Sequence, residues 1–313
     1  MTTVSRKFSN IYAGRSQDAA QTLPVRNPAN GEVVGLMPVG TLDDLNAAVS
    51  AARAAASGWA NRCDSDRQEL CMQIAEAIGE NSEELAMLLT LEQGKPLNGF
   101  GSRWEIGGAQ AWCQYTAGLE IPVEVLQDDE GARVELHRQP IGVIGSITPW
   151  NFPVMIAVWH LIPAIRAGNT AVIKPSPNTP LATIRLVELI NDILPAGVVN
   201  IVCGDVDIGA AISQHRDIDK MVFTGSTNTG KEIMASAAGN LKRLTLELGG
   251  NDAAIVLPDV DVGAIAEGVF WGAMLNSGQT CACIKRLYVH DDVYEALCLE
   301  LTSLANGIVI GDG

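Results

Sequence analysis

Aromatic residues make up only 5% of this 313-residue chain, histidine occurs four times, and Lys and Arg total 21 against 36 for Asp and Glu. The resulting net charge of −15 repels phosphate backbones and anionic bilayers, so neither a nucleic acid nor a membrane is expected as a partner. Few aromatics also argue against a base-stacking surface. No apolar run reaches the roughly 18 residues that a membrane span needs. The first ten residues carry Arg6 and Lys7 with no apolar stretch behind them, which is not the pattern of a secretory signal. Cysteine occurs seven times, an odd number, with no Cys-x-x-Cys pair. That usage reads as reduced thiols of a cytoplasmic protein and, with so few histidines, leaves no structural zinc site. Internal repeats and low-complexity tracts are absent.

What is present is apolar. Hydrophobic residues reach 47% and charged residues 18%, enough for a large core and, by length, about two domains. Asn27-Pro28-Ala29-Asn30-Gly31 is a turn cluster between short β-like stretches. Thr41, with Asp43 and Asp44 behind it, caps a helix over 42–56 that carries Leu45, Val49 and Ala52 on one face. Helical periodicity returns over about 66–79, 82–92 and 103–118, and Gly94-Lys95-Pro96 closes the middle segment. Residues 119–139 alternate apolar and polar around Asp128-Asp129-Glu130-Gly131, a hairpin pattern with a solvated acidic tip. From Pro140 onward, short apolar runs at 142–147, 171–174, 198–203, 221–224 and 244–247 are separated by helical segments. Pro180 is expected at the first helical position after the second run. This alternation predicts an α/β fold, a doubly wound Rossmann-like parallel sheet with helices on both faces. Such sheets bind ligands beyond the carboxyl ends of their strands, so the residues after each run are the candidates.

Gly225-Ser226-Thr227-Asn228-Thr229-Gly230 joins a strand to a helix, where backbone N–H groups can face a phosphate. It is neither the G-x-G-x-x-G fingerprint nor a P-loop, and a plain tight turn would read the same. Lys174, in Ile173-Lys174-Pro175-Ser176-Pro177, either points into the crevice within reach of ribose hydroxyls or snorkels to the surface. Pro149-Trp150-Asn151-Phe152-Pro153 pins an asparagine that could donate to an oxyanion, or forms a rigid connector. Glu247 ends an apolar run ahead of Leu248-Gly249-Gly250. A carboxylate there is costly unless it faces a polar cavity, which makes it a general-base candidate. Cys281 follows Gly278-Gln279-Thr280, small residues that leave room for a substrate. A core cysteine, or a redox pair with Cys283, are the alternatives. Trp104, Trp112, Phe152, Met155 and Trp159 read as an apolar entrance or as core.

In that order these motifs resemble the NAD(P)-dependent aldehyde dehydrogenase superfamily: residues 149–153, Lys174-Pro175-Ser176, Phe223-Thr224-Gly225-Ser226 through Gly230, Glu247-Leu248-Gly249-Gly250 and Gly278-Gln279-Thr280-Cys281. Asn27-Pro28 with Gly31-Glu32-Val33, and Glu92-Gln93-Gly94-Lys95-Pro96, are similar to the family's amino-terminal region. The resemblance implies oxidation of a small aldehyde to the carboxylic acid with NAD or NADP. It implies Cys281 as the nucleophile that forms a thiohemiacetal and then a thioester. Asn151 and the Cys281 N–H would hold the oxyanion, and Glu247 would activate water. Cofactor contacts are implied from Ile147, Thr148, Pro149, Trp150, Lys174, Ser176, Pro177, Gly209, Phe223, Thr224, Gly225, Ser226, Gly230 and Leu248, with no metal. The turn at 225–230 would approach the pyrophosphate, Lys174 the adenosine ribose, and Gly209 the adenine. The implied organisation is a dinucleotide-binding domain at 1–118 and 140–246, an oligomerisation hairpin at 119–139, and an incomplete catalytic domain at 247–313. The hairpin would serve a homo-oligomer.

The sequence also departs from the family pattern. Family members continue beyond Gly311-Asp312-Gly313, and their Glu-x-Phe-Gly-Pro motif, which holds the nicotinamide ribose, is absent. The expectation is a truncated, amino-terminal piece of such an enzyme, the alternative being a non-catalytic nucleotide-binding fragment. Pro177 stands where many relatives have a ribose-binding glutamate, which predicts weak discrimination between NAD and NADP. Asn251 replaces a common lysine at a position read as surface. Glu247 disfavours an acyl-CoA-forming relative, and Glu247 with the glycine turn disfavours a thiol-redox protein.

Overall fold

The computed structural model describes residues 7–313; the first six residues, Arg6 among them, lie outside the described residues. A small antiparallel pair, β1 (Asn10–Tyr12) and β2 (Arg15–Gln17), precedes a second antiparallel ribbon, β3 (Gln21–Arg26) and β4 (Val33–Val39). The turn cluster joins β3 to β4, with Asn27 Oδ1 accepting the Ala29 N–H at 2.8 Å and Gly31 at φ +77°. Four helices follow: α1 (Leu42–Ala60), α2 (Asp64–Glu80), α3 (Ser82–Gln93) and α4 (Ser102–Gly118). Thr41 and Asp44 close a reciprocal capping box on α1. Gly94, at φ +87°, ends α3 in the left-handed conformation that glycine adopts without strain. The hairpin is shorter than the alternating pattern suggested: β5 (Glu124–Asp128) and β6 (Arg133–Leu136), every residue exposed. Its tip is a solvated turn in which Asp129 accepts the Gly131 and Ala132 N–H groups.

The α/β unit then runs β7 (Val143–Ile147), α5 (Pro153–Arg166), β8 (Thr170–Lys174), α6 (Leu181–Ile193), β9 (Val199–Ile201), α7 (Val206–Gln214), β10 (Lys220–Gly225), α8 (Thr227–Ala237) and β11 (Arg243–Leu248). The strands form one sheet ordered β11-β10-β7-β8-β9-β1-β2, parallel from β11 to β9. Alternate residues feed two cores. Ile144, Ala171 and Ile173 pack with α2 to α6 on one face, while Val143, Ile147, Val172, Met221 and Phe223 pack with α1, α7 and α8 on the other. Burial on both faces is why the strands read as unbroken apolar runs. One expectation is corrected here: Pro180 is the N-cap of α6, its backbone already right-handed helical, and the helix itself runs from Leu181. The first-turn N–H groups of Leu181 and Ala182 are instead taken by the buried Glu92 carboxylate at 2.7 and 2.9 Å.

The chain closes with β12 (Asp252–Val256), α9 (Val262–Met274), a 3-10 turn (Leu275–Gly278), β13 (Ile284–Val289) and α10 (Asp291–Gly307). β12 and β13 form a separate two-stranded parallel sheet over a small cluster around Val256, Ala266 and Leu297. Among the described residues no helix is long and apolar enough to cross a membrane.

Candidate active site

Strands β8 and β9 lie on one side of β7, and β10 and β11 on the other, so the strand order reverses between β7 and β10. A crevice opens there beyond the strand ends, as expected at a topological switch point. Its first lobe, of about 430 Å³, is lined by residues 147–151, Lys174, Ser176, Pro177, residues 223–226, Thr229, Leu248, Gly249 and Cys281. A second lobe, of about 520 Å³, lies between α7 and α8 and includes Gly209, Ala210, Asp205 and Glu232. Ile147, Lys174 and Thr229 line both lobes. Twelve of the fourteen cofactor-contact candidates therefore converge on the first lobe, and Gly209 on the second.

Gly230 lies elsewhere. A Cβ there would sit 2.7 Å from Leu248 Cδ2, so this glycine lets α8 pack closely against β11. There is also no extended glycine loop. β10 ends at Gly225, and Ser226 immediately caps α8 by accepting the Thr229 N–H. The positive end of the α8 dipole thus opens at the crevice.

Lys174 lines the crevice and does not snorkel to the surface. Its ammonium is buried and donates to the carbonyls of Pro175 at 2.8 Å and Gly204 at 2.9 Å. Burial pushes its pKa down, opposed by the carboxylates of Asp205 and Asp207. An ammonium has three N–H donors, so one remains for a ligand. Among the described residues, Thr148 Oγ1 is buried in the first lobe without a protein partner. A buried hydroxyl in that state calls for a partner from outside the chain. Two joined lobes, a helix N-terminus, a spare lysine donor and this orphaned hydroxyl together fit a dinucleotide.

The nucleophile candidate sits on a strained loop. Asn276 (φ 53°), Ser277 (φ 57°) and Gly278 (φ 76°) are all left-handed, which for the two non-glycine residues costs about 1–3 kcal/mol each. Cross-links hold the loop. Asn276 Nδ2 donates to the Asn151 carbonyl at 3.0 Å, Asn151 Nδ2 donates to the Gln279 carbonyl at 2.8 Å, and the Thr280 hydroxyl donates to the Leu275 carbonyl at 3.1 Å. Cys281 is exposed in the crevice. Cys283 is buried, its sulfur turned toward the Gly278 and Thr280 carbonyls and 2.7 Å from Lys285 Nζ.

Glu247 is brought less close. It is exposed on β11, an edge strand, in register with Thr224, and does not line either lobe. Its side chain is solvated, and among the described residues β11 pairs with β10 alone. None of the five aromatic and methionine candidates lines the crevice. Phe152 and Met155 are core, Trp104 stacks edge-on to Phe152, and Trp112 pairs with Trp159.

Sequence reasoning missed three groups around the site. Lys95 Nζ meets Glu105 Oε2 at 2.5 Å with side chains only 1% and 0% exposed, and it also donates to the Asn151 carbonyl at 2.6 Å. Burial pushes the Glu105 carboxyl up and the Lys95 ammonium down, and the opposite charge of each resists this. Asn276 is the second. The third is His160, buried between Ser146 Oγ at 2.9 Å and Thr224 Oγ1 at 3.0 Å. Burial lowers its pKa to about 3, so it is neutral. A polar residue inside the apolar run Met155-Ile156-Ala157-Val158-Trp159-His160-Leu161 was the one available signal for it.

Residues 15–313 match the aldehyde dehydrogenase family. A Pseudomonas sp protein named Probable aldehyde dehydrogenase is 40% identical over 307 residues, covering 98% of this chain and 62% of that protein. The crystal structure of PnpE in complex with nicotinamide adenine dinucleotide superposes with a TM-score of 0.94 at 38% identity, over 98% of this chain and 64% of that one. An E. coli NADP dependent enzyme superposes equally, with a TM-score of 0.94 at 35% identity over 98% of this chain and 65% of that one. The chain thus spans just under two thirds of the length of these relatives. On this match and these identities, the chain belongs to the aldehyde dehydrogenase family.

Proposed function

We propose that this chain carries the nucleophile and the dinucleotide site of an enzyme that oxidises an aldehyde to a carboxylic acid with NAD or NADP. The observation that carries the reading is a single crevice lined by both Asn151 and Cys281 at a sheet switch point and a helix N-terminus. The Cys281 thiolate attacks the aldehyde carbon, forming a C–S bond and an alkoxide. The Asn151 amide, which has a second N–H beyond the one given to Gln279, and the Cys281 N–H donate to that oxygen. Lys174, Thr148, the first turn of α8 and the slot beside Gly209 would hold a nicotinamide dinucleotide, which when bound would supply the hydride acceptor for oxidation to the thioester level. Glu247 takes a proton from the water that hydrolyses the thioester, which returns the thiol. The β5–β6 hairpin, exposed along its whole length, serves association with further copies.

Mixing the purified chain with a panel of aldehydes and either cofactor, and following reduced cofactor, tests this. Cys281→Ala is expected to leave dinucleotide binding intact and to remove turnover by several powers of ten. Glu247→Gln is expected to release about one equivalent of reduced cofactor and then stall on a trapped acyl-enzyme, seen by mass spectrometry. Turnover in Cys281→Ala above about 1% of the unsubstituted rate would overturn the nucleophile assignment. Tight dinucleotide binding with no turnover of any aldehyde would favour the second reading, a nucleotide-binding chain without catalysis. The exposed position of Glu247, outside the crevice lining, is the observation that keeps that reading alive.

A further inference from the structure

An oxyanion donor is useful only if its N–H is fixed to within a fraction of an ångström before the reaction. Asn151 lies in a loop, yet three neighbouring points of its backbone are referenced to one buried ion pair. The Asn151 carbonyl accepts from Lys95 Nζ at 2.6 Å. The Phe152 ring lies under the same ammonium, 4.1 Å from Nζ. Glu105 Oε1 accepts the Val154 and Met155 N–H groups at 3.0 and 3.1 Å, fixing the first turn of α5. The Asn151 carbonyl also accepts from Asn276 Nδ2, so the nucleophile loop is registered to the same atom. A fully buried ion pair is a poor source of stability, because an apolar pair of the same size does as well or better. Its presence under this loop asks for another reason.

We infer that Lys95 and Glu105 are positioning residues, which hold the Asn151 amide where it can stabilise an oxyanion formed on Cys281. The inference rests on the reading of Cys281 as nucleophile and Asn151 as donor.

Two reactions of the same sulfur separate positioning from general disruption. p-Nitrophenyl acetate acylates Cys281 through a tetrahedral oxyanion. The thiolate adds to the carbonyl carbon, the C–O bond to p-nitrophenolate then breaks, and the thiol proton goes to solvent. Iodoacetamide alkylates the same thiolate by displacing iodide, with no oxyanion. Neither needs a cofactor, and both run on this chain, with Cys281→Ala subtracting the other thiols. The double variant Lys95→Met/Glu105→Gln leaves no unpaired buried charge and keeps an oxygen for the Val154 and Met155 N–H groups.

In the double variant the acylation rate at saturating ester is expected to fall about tenfold or more. The half-saturating ester concentration and the alkylation rate should stay within about twofold. Lys95→Arg keeps a cation paired with Glu105 but changes the donor geometry at the Asn151 carbonyl. It should give a smaller fall, about threefold, and it carries the test if the double variant does not fold. An acylation-to-alkylation ratio equal to that of the unsubstituted chain, whether both rates hold or both fall, overturns the inference. Alkylation of Cys281 without any acylation in the unsubstituted chain would instead overturn the Cys281–Asn151 reading beneath it.

Discussion

The two loops that meet in the crevice rest on bodies of unequal depth. Residues 148–152 follow β7, all five of whose residues are buried, and lead into α5, which is buried along most of its length. Residues 275–283 hang between α9 and β13, whose cluster buries little beyond Val256, Ala266 and Leu297, while Ile255 and Leu299 remain 73% and 71% exposed. The deep body can fix a donor atom from within, through its packed core and the buried Lys95–Glu105 pair beneath the loop. The shallow one holds a loop with left-handed residues, and its geometry is supplied across the junction by the Asn151–Gln279 and Asn276–Asn151 hydrogen bonds. Precision at the nucleophile is therefore borrowed from the sheet.

Matched truncations test that difference directly and have the largest expected effect. Leu161 and Leu297 are equally buried, one in each body. Leu161→Ala is expected to lower the free energy of global unfolding by about 3–5 kcal/mol, because its close-packed surroundings cannot collapse into the cavity. Leu297→Ala is expected to cost about 1–2 kcal/mol or less on that transition, since an open cluster can relax. It should instead raise amide exchange in β13 and α10 alone. Equal costs with uniform exchange would show one cooperative unit and break the comparison.

Acid sharpens it next. His160 in the deep body is neutral when folded, with a pKa near 3 set by burial, against 6.5 for the free side chain. Above pH 6.5 neither state binds the proton and this contribution to stability is complete. Between pH 6.5 and about 3 the unfolded chain takes up a proton that the folded chain refuses. Stability is then lost as pH falls, by up to about 1.4 kcal/mol per unit, or about 2 kcal/mol by pH 5. His160→Gln, which can still bridge two hydroxyls, should flatten that slope by one proton. Urea denaturation of both forms from pH 7 to pH 5 measures it. Identical slopes would mean that His160 reaches solvent.

These residues also mark what was legible in the sequence. The parallel strands were, because burial on both faces leaves continuous apolar runs. The placement of Asn151, Lys174 and Cys281 along one crevice was, because each follows a strand or a small-residue turn within a recognisable motif. The Lys95–Glu105 pair was not, since its meaning depends on α4 crossing the start of α5, and nothing local to either residue records that. The exposure of Glu247 was not, because it depends on which elements cover that end of β11, and spacing along the chain does not carry that information. That Gly230 packs against Leu248 was not, since a glycine that admits a phosphate and one that admits a leucine read alike.

The smallest expected effect isolates the second lobe of the crevice, which belongs wholly to the deep body. Gly209 lies inside α7 without a positive φ, and a Cβ there would meet Lys174 Cε at 3.5 Å, an ordinary contact. Nothing in the fold therefore demands glycine. Gly209→Ala is expected to raise stability by about 0.5–1 kcal/mol through helix propensity and reduced freedom of the unfolded chain. The added methyl would stand on the lining of the lobe beside Lys174. If that lobe receives the adenosine end of a dinucleotide, affinity for NAD or NADP should fall by a few fold, roughly 1 kcal/mol, while stability rises. A residue kept small for packing would not separate the two quantities in this way. Calorimetric titration of both cofactors beside urea denaturation of the same variant reads them together. Higher stability with unchanged affinity would remove Gly209 from the cofactor site and leave the slot between α7 and α8 without its proposed occupant.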